Sequence, residues 1–139
     1  MSIYDVFSGG SKPFDKAEWA AQKQAQRKEA YEMIDNTCSE MMSSGDSFRQ
    51  YLNVQGRFDR YSVANAILVS AQMPEATQLK EYSKWKASRV YVNKDAQKII
   101  ILEPSKEYTR EDGTKGISYN AKVVYDISET SAKDRQQEQ

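Results

Sequence analysis

The stretch that decides the fold is IIILEPSKEYTREDGTKGISYNAKVVY, residues 99–125. Its second half carries apolar side chains at every other position: Ile117, Tyr119, Ala121, Val123 and Tyr125. A period of two is typical of a strand with one buried face. A less apolar strand over residues 106–110 precedes it, and the turn formers at 111–114 separate the two. The stretch therefore predicts two antiparallel strands joined by a tight turn.

Alternation also occurs just before this stretch. Val90 and Val92 alternate with polar and aromatic residues, and the polar residues 93–96 separate them from the apolar run 99–102. Pro104 bounds that run, and proline cannot donate a ladder hydrogen bond. These features predict an earlier β-hairpin, formed by residues 90–92 and 99–102.

Upstream of the β region the apolar period changes to 3.6, which indicates helices. Asp15 followed by Glu18 predicts the start of the first helix. Its amphipathic pattern runs to Ser-Ser-Gly at 43–45, which predicts its end. A capping box at 47–50, beginning with a serine, predicts the start of a second helix, which Gly56 closes.

Two further helices are predicted. Ser62 or Asp59 caps the third, which ends before Pro74. Its apolar stripe predicts the centre of the core: Tyr61, Ala64, Ile67, Leu68 and Ala71. The fourth helix is predicted to begin near Thr77 and to end around Ser88.

Helices followed by strands, without βαβ alternation, predict an α+β fold. In this fold the N-terminal helices pack on one face of a small antiparallel sheet formed by the C-terminal half. Residues 1–13 are interpreted as a flexible lead-in, 14–130 as a single domain, and 131–139 as a polar tail or a linker.

The composition excludes several chemistries. The chain has no histidine, so it lacks histidine general bases, Ser-His-Asp relays and histidine zinc ligands. The acidic residues Glu111, Asp112 and Glu138 have no converging base, and no glycine-rich phosphate loop opens a helix. We therefore expect a protein that is not an enzyme, needs no cofactor and acts by binding.

The single cysteine, Cys38, cannot form an internal disulfide, and the sequence has no apolar leader or long apolar run. These features predict a cytoplasmic protein without a membrane partner. Twenty Lys+Arg balance twenty Asp+Glu among 139 residues, so no overall positive charge points to nucleic acid. Any binding driven by charge must be local.

Residues 80–98 combine positive charge with aromatic rings, since they contain six basic and only two acidic side chains. The aromatic members are Tyr82, Trp85 and Tyr91. Single-stranded nucleic acid needs this combination, because cations contact phosphates while each base stacked on a ring contributes ~1–3 kcal/mol. The spacing of Tyr82 and Trp85 fits core packing of a helix equally well.

Six short motifs carry a resemblance to a known family. They are YSVANAIL at 61–68, QMPEAT at 72–77, WK at 85–86, RVYVNK at 89–94, ILEP at 101–104 and VVYDISET at 123–130. In this order, over residues 25–130, they resemble the N-terminal domain of ArdC-like antirestriction proteins. That domain binds single-stranded DNA in proteins of plasmids, conjugative elements and phages.

The chain departs from the family in one loop. The family pattern has a glycine-rich, basic turn, V-x-K-G-E-K-G-I, where residues 93–98 read NKDAQK. The loss of two glycines limits how closely this loop can approach a phosphate. Full-length relatives often carry a C-terminal zinc-peptidase-like domain with an H-E-x-x-H motif, which a chain without histidine cannot contain. The tail is therefore interpreted as a linker to a missing domain, or the chain as a stand-alone copy.

The resemblance and the charge pattern together imply roles for individual residues. Tyr61 and Asn65 anchor the third helix beside the site, and Asn65 donates to a base or phosphate. The predicted stacking residues are Tyr82, Trp85 and Tyr91. The predicted phosphate contacts are Arg57, Arg60, Lys84, Lys86, Arg89, Lys94 and Lys98. The expected ligand is single-stranded DNA or RNA; the alternative is that the same surface docks a restriction-system protein or a neighbouring catalytic domain.

Overall fold

The computed structural model describes residues 15–132, so the predicted lead-in and most of the predicted tail lie outside the described residues. Its elements are, in chain order, α1 Lys16–Ser43, α2 Gly45–Arg57, α3 Val63–Gln72, β1 Leu79–Lys80, α4 Tyr82–Ala87, β2 Ile99–Thr109, β3 Lys115–Asp126 and a 3-10 turn Ile127–Glu129. The three strands form one antiparallel sheet. The predicted α+β class is confirmed.

The first two helices are separated by Ser44 alone. As predicted, Asp15 caps α1, because its carboxylate accepts a hydrogen bond from the N–H of Glu18 at 3.1 Å. The predicted start of α2 at Ser47 is wrong by one turn. Ser44 is the cap, since its hydroxyl accepts from the N–H of Ser47 at 3.3 Å, and Ser47 therefore already lies in the first turn of the helix.

The third helix begins and ends where the sequence predicts. The hydroxyl of Ser62 accepts from the N–H of Asn65 at 3.2 Å, and the helix stops two residues before Pro74. All residues from 66 to 70 are buried, whereas Ala71, which the predicted stripe included, is exposed. Five successive buried residues go round the whole helix, because α3 is surrounded by α1, α2 and β2.

The prediction that the fourth helix begins near Thr77 is wrong, because β1 comes first. The buried carboxylate of Asp126 accepts from the N–H groups of Thr77 at 2.9 Å and Gln78 at 3.1 Å. These bonds hold the chain extended beside β3. The helix begins only at Tyr82, and its end before Ser88 agrees with the prediction.

The sheet has the strand order β1-β3-β2. β2 and β3 form the predicted hairpin around the connection 110–114, and their pairing runs from Thr109 with Lys115 to Ile99 with Val124. Pro104 lies within β2 and does not end it. The register shifts just after this proline, which is where an irregular ladder tolerates a missing N–H.

The predicted hairpin between residues 90–92 and 99–102 is wrong. The run 99–102 pairs with residues 121–124, and Val92 forms an isolated bridge with Thr130. The segment 90–92 therefore pairs with residues that follow β3, which are remote in sequence.

Apolar side chains lie on both sides of β2. Ile99 and Ile101 face a cluster formed with α2, α3 and the sheet: Val54, Phe58, Ala66, Val69, Met73, Ala76 and Val124. Ile100 and Leu102 point the other way and face a second cluster: Ala30, Met33, Ile34 and Leu68. α3 therefore lies along the edge of the sheet, and each fully buried Val, Leu, Ile, Phe or Met side chain contributes ~1.5–3 kcal/mol.

A third cluster lies at the C-terminal end of β3. It consists of Trp85, Val90, Ile127 and Ala132, with Val92 and Tyr125 packed against it. Ala132 belongs to the predicted tail, and it is 5% exposed. This cluster fixes α4 against the end of β3.

Candidate nucleic-acid interface

The candidate interface is α4 and the turn that follows it, which we call the α4 surface (residues 82–91). The N–H of Val90 donates to the carbonyl of Trp85 at 2.9 Å, and the N–H of Arg89 donates to Lys86 at 2.9 Å. This is the Schellman pattern that ends many helices. It places Arg89 in the left-handed region, at φ 61°. Val90 packs with Trp85 in the third cluster, so the turn is fastened to the core.

Trp85 does not present its ring at this surface. The side chain is 2% exposed, and its indole N–H donates to the carbonyl of Tyr125 at 2.9 Å. The Nζ of Lys80 lies 4.8 Å from the ring centroid, which is a cation–π contact. A ring covered in this way cannot stack on a base, so the predicted role of Trp85 does not fit the structure. The residue anchors α4 to β3.

The two predicted tyrosines are exposed: Tyr82 by 54% and Tyr91 by 59%. The backbone of Tyr91 is held by Ser131, whose hydroxyl accepts from the N–H of Tyr91 at 3.0 Å. In return, the N–H of Ser131 donates to the carbonyl of Tyr91 at 2.9 Å. The backbone is therefore fixed while the ring remains in solvent, which is the arrangement that base stacking needs.

Five of the predicted cations lie on α4 or in the segment that follows it. Lys84, Lys86 and Arg89 lie on the α4 surface, and Lys94 and Lys98 lie in the loop that leads to β2. All five side chains are exposed, and within residues 15–132 none of them forms a salt bridge. Beside the hydrogen bond from Lys122, the charge of Lys84 helps to lower the pKa of the Glu81 carboxyl, and the other four cations are available to phosphates without the loss of an internal partner.

Asn65 does not reach the α4 surface. Its Nδ2 donates to the carbonyl of Leu102 at 2.8 Å, and its Oδ1 accepts from the N–H of Leu102 at 2.8 Å. Both polar atoms of the side chain are occupied within the fold. The predicted hydrogen bond from Asn65 to a base or phosphate therefore does not fit the structure.

Arg57 is also used within the fold. Its Nε donates to the carbonyl of Ala76 at 3.0 Å, and its Nη2 donates to the carbonyl of Pro74. The side chain lines a cleft of about 420 Å³ with Asp46 and Arg49, and this cleft shares no residue with α4. Arg57 therefore fixes the loop after α3. The prediction that it extends the α4 surface does not fit the structure.

The remaining predicted residues, Arg60 and Tyr61, lie between α2 and α3. Arg60 is exposed. Tyr61 is half-buried, and its ring centroid lies 4.9 Å from that of Phe58 at the edge of the first cluster. Burial raises the pKa of the Tyr61 hydroxyl above 10.0, against the opposing effect of the nearby Lys122 ammonium.

Tyr61 and Lys84 meet at a cleft that the sequence did not predict, which we call the sheet cleft. It has a volume of about 220 Å³ and is lined by Tyr61, Leu79, Lys80, Glu81, Lys84, Ile101, Lys122 and Val124. The Nζ of Lys122 lies 3.0 Å from Glu81 Oε1 and 3.3 Å from Glu103 Oε2. Lys122 was missed because the pairing of distant strands, and no local motif, brings it to these carboxylates.

Burial and ion pairing act in opposite directions on Lys122. Partial burial lowers its pKa, but the hydrogen bonds to Glu81 and Glu103 outweigh this effect and raise the pKa above 10.5. The same hydrogen bond from Lys122 lowers the pKa of Glu81 below 4.5. Both groups are charged at neutral pH, so the sheet cleft presents an ammonium beside a carboxylate.

Within the part of the chain that the structure describes, no group of three or more Cys, Asp or Glu side chains can hold a metal ion. None of the helices over residues 15–132 combines the length and the apolar character needed to cross a membrane.

Comparison of the chain with models of protein families, with curated proteins and with solved structures finds no match in any of the three.

Proposed function

We propose that this chain is a non-catalytic, single-stranded-DNA-binding domain of the ArdC-like antirestriction type, from a protein of a mobile genetic element. The observation that carries the proposal is the α4 surface, which exposes the rings of Tyr82 and Tyr91 together with the cations Lys84, Lys86 and Arg89. The rings supply stacking faces for unpaired bases, and Lys84, Lys86 and Arg89 contact the phosphates between them. The surface needs neither a cofactor nor a net positive charge of the whole chain.

The test is a titration of a fluorescent fifteen-nucleotide thymidine strand by anisotropy, over a series of KCl concentrations. For single strands the logarithm of the affinity falls with the logarithm of salt by ~0.7 for each phosphate contacted. Three to five contacts therefore predict a slope between about −2 and −3.5. Absence of binding at low salt and micromolar protein would overturn the proposal, and a parallel uridine strand measures the preference for DNA over RNA.

A charge-reversal variant locates the site. Lys84→Glu, Lys86→Glu and Lys94→Glu together are expected to abolish binding, because three phosphate contacts become repulsions. The matched control reverses three exposed lysines elsewhere, Lys16, Lys28 and Lys106, and is expected to keep most of the affinity. Circular dichroism checks that both variants fold. Equal affinity of a folded site variant and the control would place the site elsewhere.

A second candidate function is docking of a restriction-system protein or a neighbouring catalytic domain. The outer half of the β2–β3 hairpin favours it, because three large side chains there are exposed: Tyr108 by 45%, Ile117 by 51% and Tyr119 by 38%. Replacing Tyr108 and Ile117 by serine is expected to abolish such docking and to leave oligonucleotide binding unchanged.

A further inference from the structure

The sheet cleft differs in character from the α4 surface. Its floor is apolar, and two of the floor residues, Ile101 and Val124, are only 6% and 2% exposed. The ring of Tyr61 forms one wall. The polar groups of Glu81 and Lys122 stand at the rim, 3.0 Å apart. A cleft with an apolar floor, an aromatic wall and a polar rim suits a flat ring with a hydrogen-bonding edge.

The position beside Lys122 suits a phosphate group poorly, although Lys80 and Lys84 also line the cleft. The ammonium of Lys122 is already paired with two carboxylates, Glu81 and Glu103, and a phosphate entering beside it would be repelled by both. A neutral nucleobase suffers no such repulsion. Lys84 lines the cleft and also belongs to the α4 surface, so a strand whose phosphates contact α4 can place a base in the cleft.

We propose that the sheet cleft binds one unstacked guanine base of the single strand; this inference rests on the proposed function. A carboxylate has about four acceptor positions, and Lys122 uses one of those on Glu81. Guanine alone among the four common bases has two adjacent N–H donors on its Watson–Crick edge, N1–H and the 2-amino group. These donate to the carboxylate of Glu81, while O6 accepts from the ammonium of Lys122. The Tyr61 ring and the apolar floor contact the faces of the base.

The test compares three fluorescent fifteen-nucleotide strands by anisotropy. One is all thymidine, the second has a single central guanine, and the third has inosine at that position. The guanine strand is expected to bind roughly tenfold more tightly than the thymidine strand, as for a bidentate base contact. Inosine lacks the 2-amino group and keeps N1–H and O6, so it is expected to lose most of this gain.

Glu81→Gln removes the paired acceptor, because a side-chain amide cannot accept two parallel hydrogen bonds from guanine. Glu81 makes no side-chain hydrogen bond to the start of α4, so the substitution leaves the helix cap unchanged. The variant is expected to bind all three strands with the affinity of the thymidine strand. Glu107→Gln, which removes the same charge from an exposed position on β2, is expected to keep the preference for guanine.

The possible results separate the two proposals. Binding of no strand overturns the proposed function and the guanine proposal with it. Equal binding of the three strands by the natural chain overturns the guanine proposal and leaves the proposed function standing. A preference that persists in Glu81→Gln, or that Glu107→Gln also removes, overturns the assignment of the guanine contact to Glu81.

Discussion

The side-chain amide of Asn65 pairs with the backbone of Leu102 as a neighbouring strand would, with one hydrogen bond in each direction at 2.8 Å. Two helical turns later, Gln72 repeats the arrangement at Ile100, donating to its carbonyl at 2.8 Å and accepting from its N–H at 2.9 Å. α3 therefore takes the place of a fourth strand along the edge of β2. Over residues 100–102 the edge is closed without exposing a row of unpaired backbone groups.

Asn65→Ala is expected to destabilise the domain. The substitution leaves the N–H and the carbonyl of Leu102 without partners at a half-buried edge, which costs about 2 kcal/mol. Asn65→Asp is expected to cost more, because a carboxylate accepts from the N–H but repels the carbonyl. Urea unfolding gives the free energies, and Asn36→Ala on the exposed side of α1 is the control. A loss no larger than that of the control would show that the amide pair contributes nothing.

Elements whose signals are local could be predicted from the sequence. Asp15 and Ser62 cap helices through hydrogen bonds to residues three positions away, and the turn at 111–114 is equally local. The start of α2 was misplaced because Ser44 and Ser47 both fit a helix cap. The cap is decided by which serine the chain leaves in an extended conformation, and that serine is Ser44.

The site was harder to predict than the fold, because its contacts are remote in sequence. Trp85 is buried by its contact with Tyr125, and Lys122 joins the sheet cleft only when the strands pair. The motif around residues 61–68 singled out Asn65, but as a ligand contact. Its partner lies 37 positions away, so the sequence could not distinguish an edge-strand contact from a ligand contact.

Asp126→Asn is expected to destabilise the domain by about 3 kcal/mol, in line with the loss of hydrogen bonds to a buried charged group. One oxygen of Asp126 accepts from Thr77 and Gln78, and the other accepts from the N–H of Ser128 at 3.0 Å and from its hydroxyl. An amide nitrogen at either position faces N–H donors and cannot accept from them. Thermal unfolding followed by circular dichroism measures the effect.

The control for Asp126 is Asp95→Asn, because Asp95 is exposed in the loop before β2. Its replacement removes the same charge and is expected to change the free energy of unfolding by less than ~0.5 kcal/mol. Similar losses for both variants would mean that charge, and not the hydrogen-bond network, explains the effect.

The ion pair of Lys122 predicts a pH dependence of stability. The pKa of Glu81 is lowered in the folded chain from 4.5, so its contribution is present above pH 4.5 and is lost as the pH falls through the folded pKa. The pKa of Lys122 is raised from 10.5, so its contribution is present below pH 10.5 and is lost as the pH rises through the folded pKa. Because the pair is partly exposed, it contributes less than ~1 kcal/mol.

Lys122→Met removes this pair and keeps much of the apolar stem. The difference in unfolding free energy from the natural chain is expected to stay level between pH 4.5 and 10.5 and to shrink on both sides. Urea titrations over the pH range measure it. The control, Lys115→Met, breaks a more exposed pair with Glu107 at 3.7 Å and is expected to show almost no difference at any pH. A difference that grows below pH 4.5 would contradict the assignment.

Arg89→Gly is expected to stabilise the fold and to weaken oligonucleotide binding. Arg89 is at φ 61°, a conformation that disfavours side chains with a Cβ, so glycine there raises the free energy of unfolding by up to ~1 kcal/mol. The loss of its guanidinium removes one phosphate contact and makes the salt slope shallower by ~0.7.

Ser88→Gly, one residue earlier at φ −87°, is the control and is expected to destabilise. A lower free energy of unfolding for Arg89→Gly would contradict backbone strain at this position. An unchanged salt slope would contradict a phosphate contact from Arg89. A variant that is more stable but binds more weakly would show that arginine serves the ligand at this position. Replacing a purely structural residue would weaken both stability and binding, or neither.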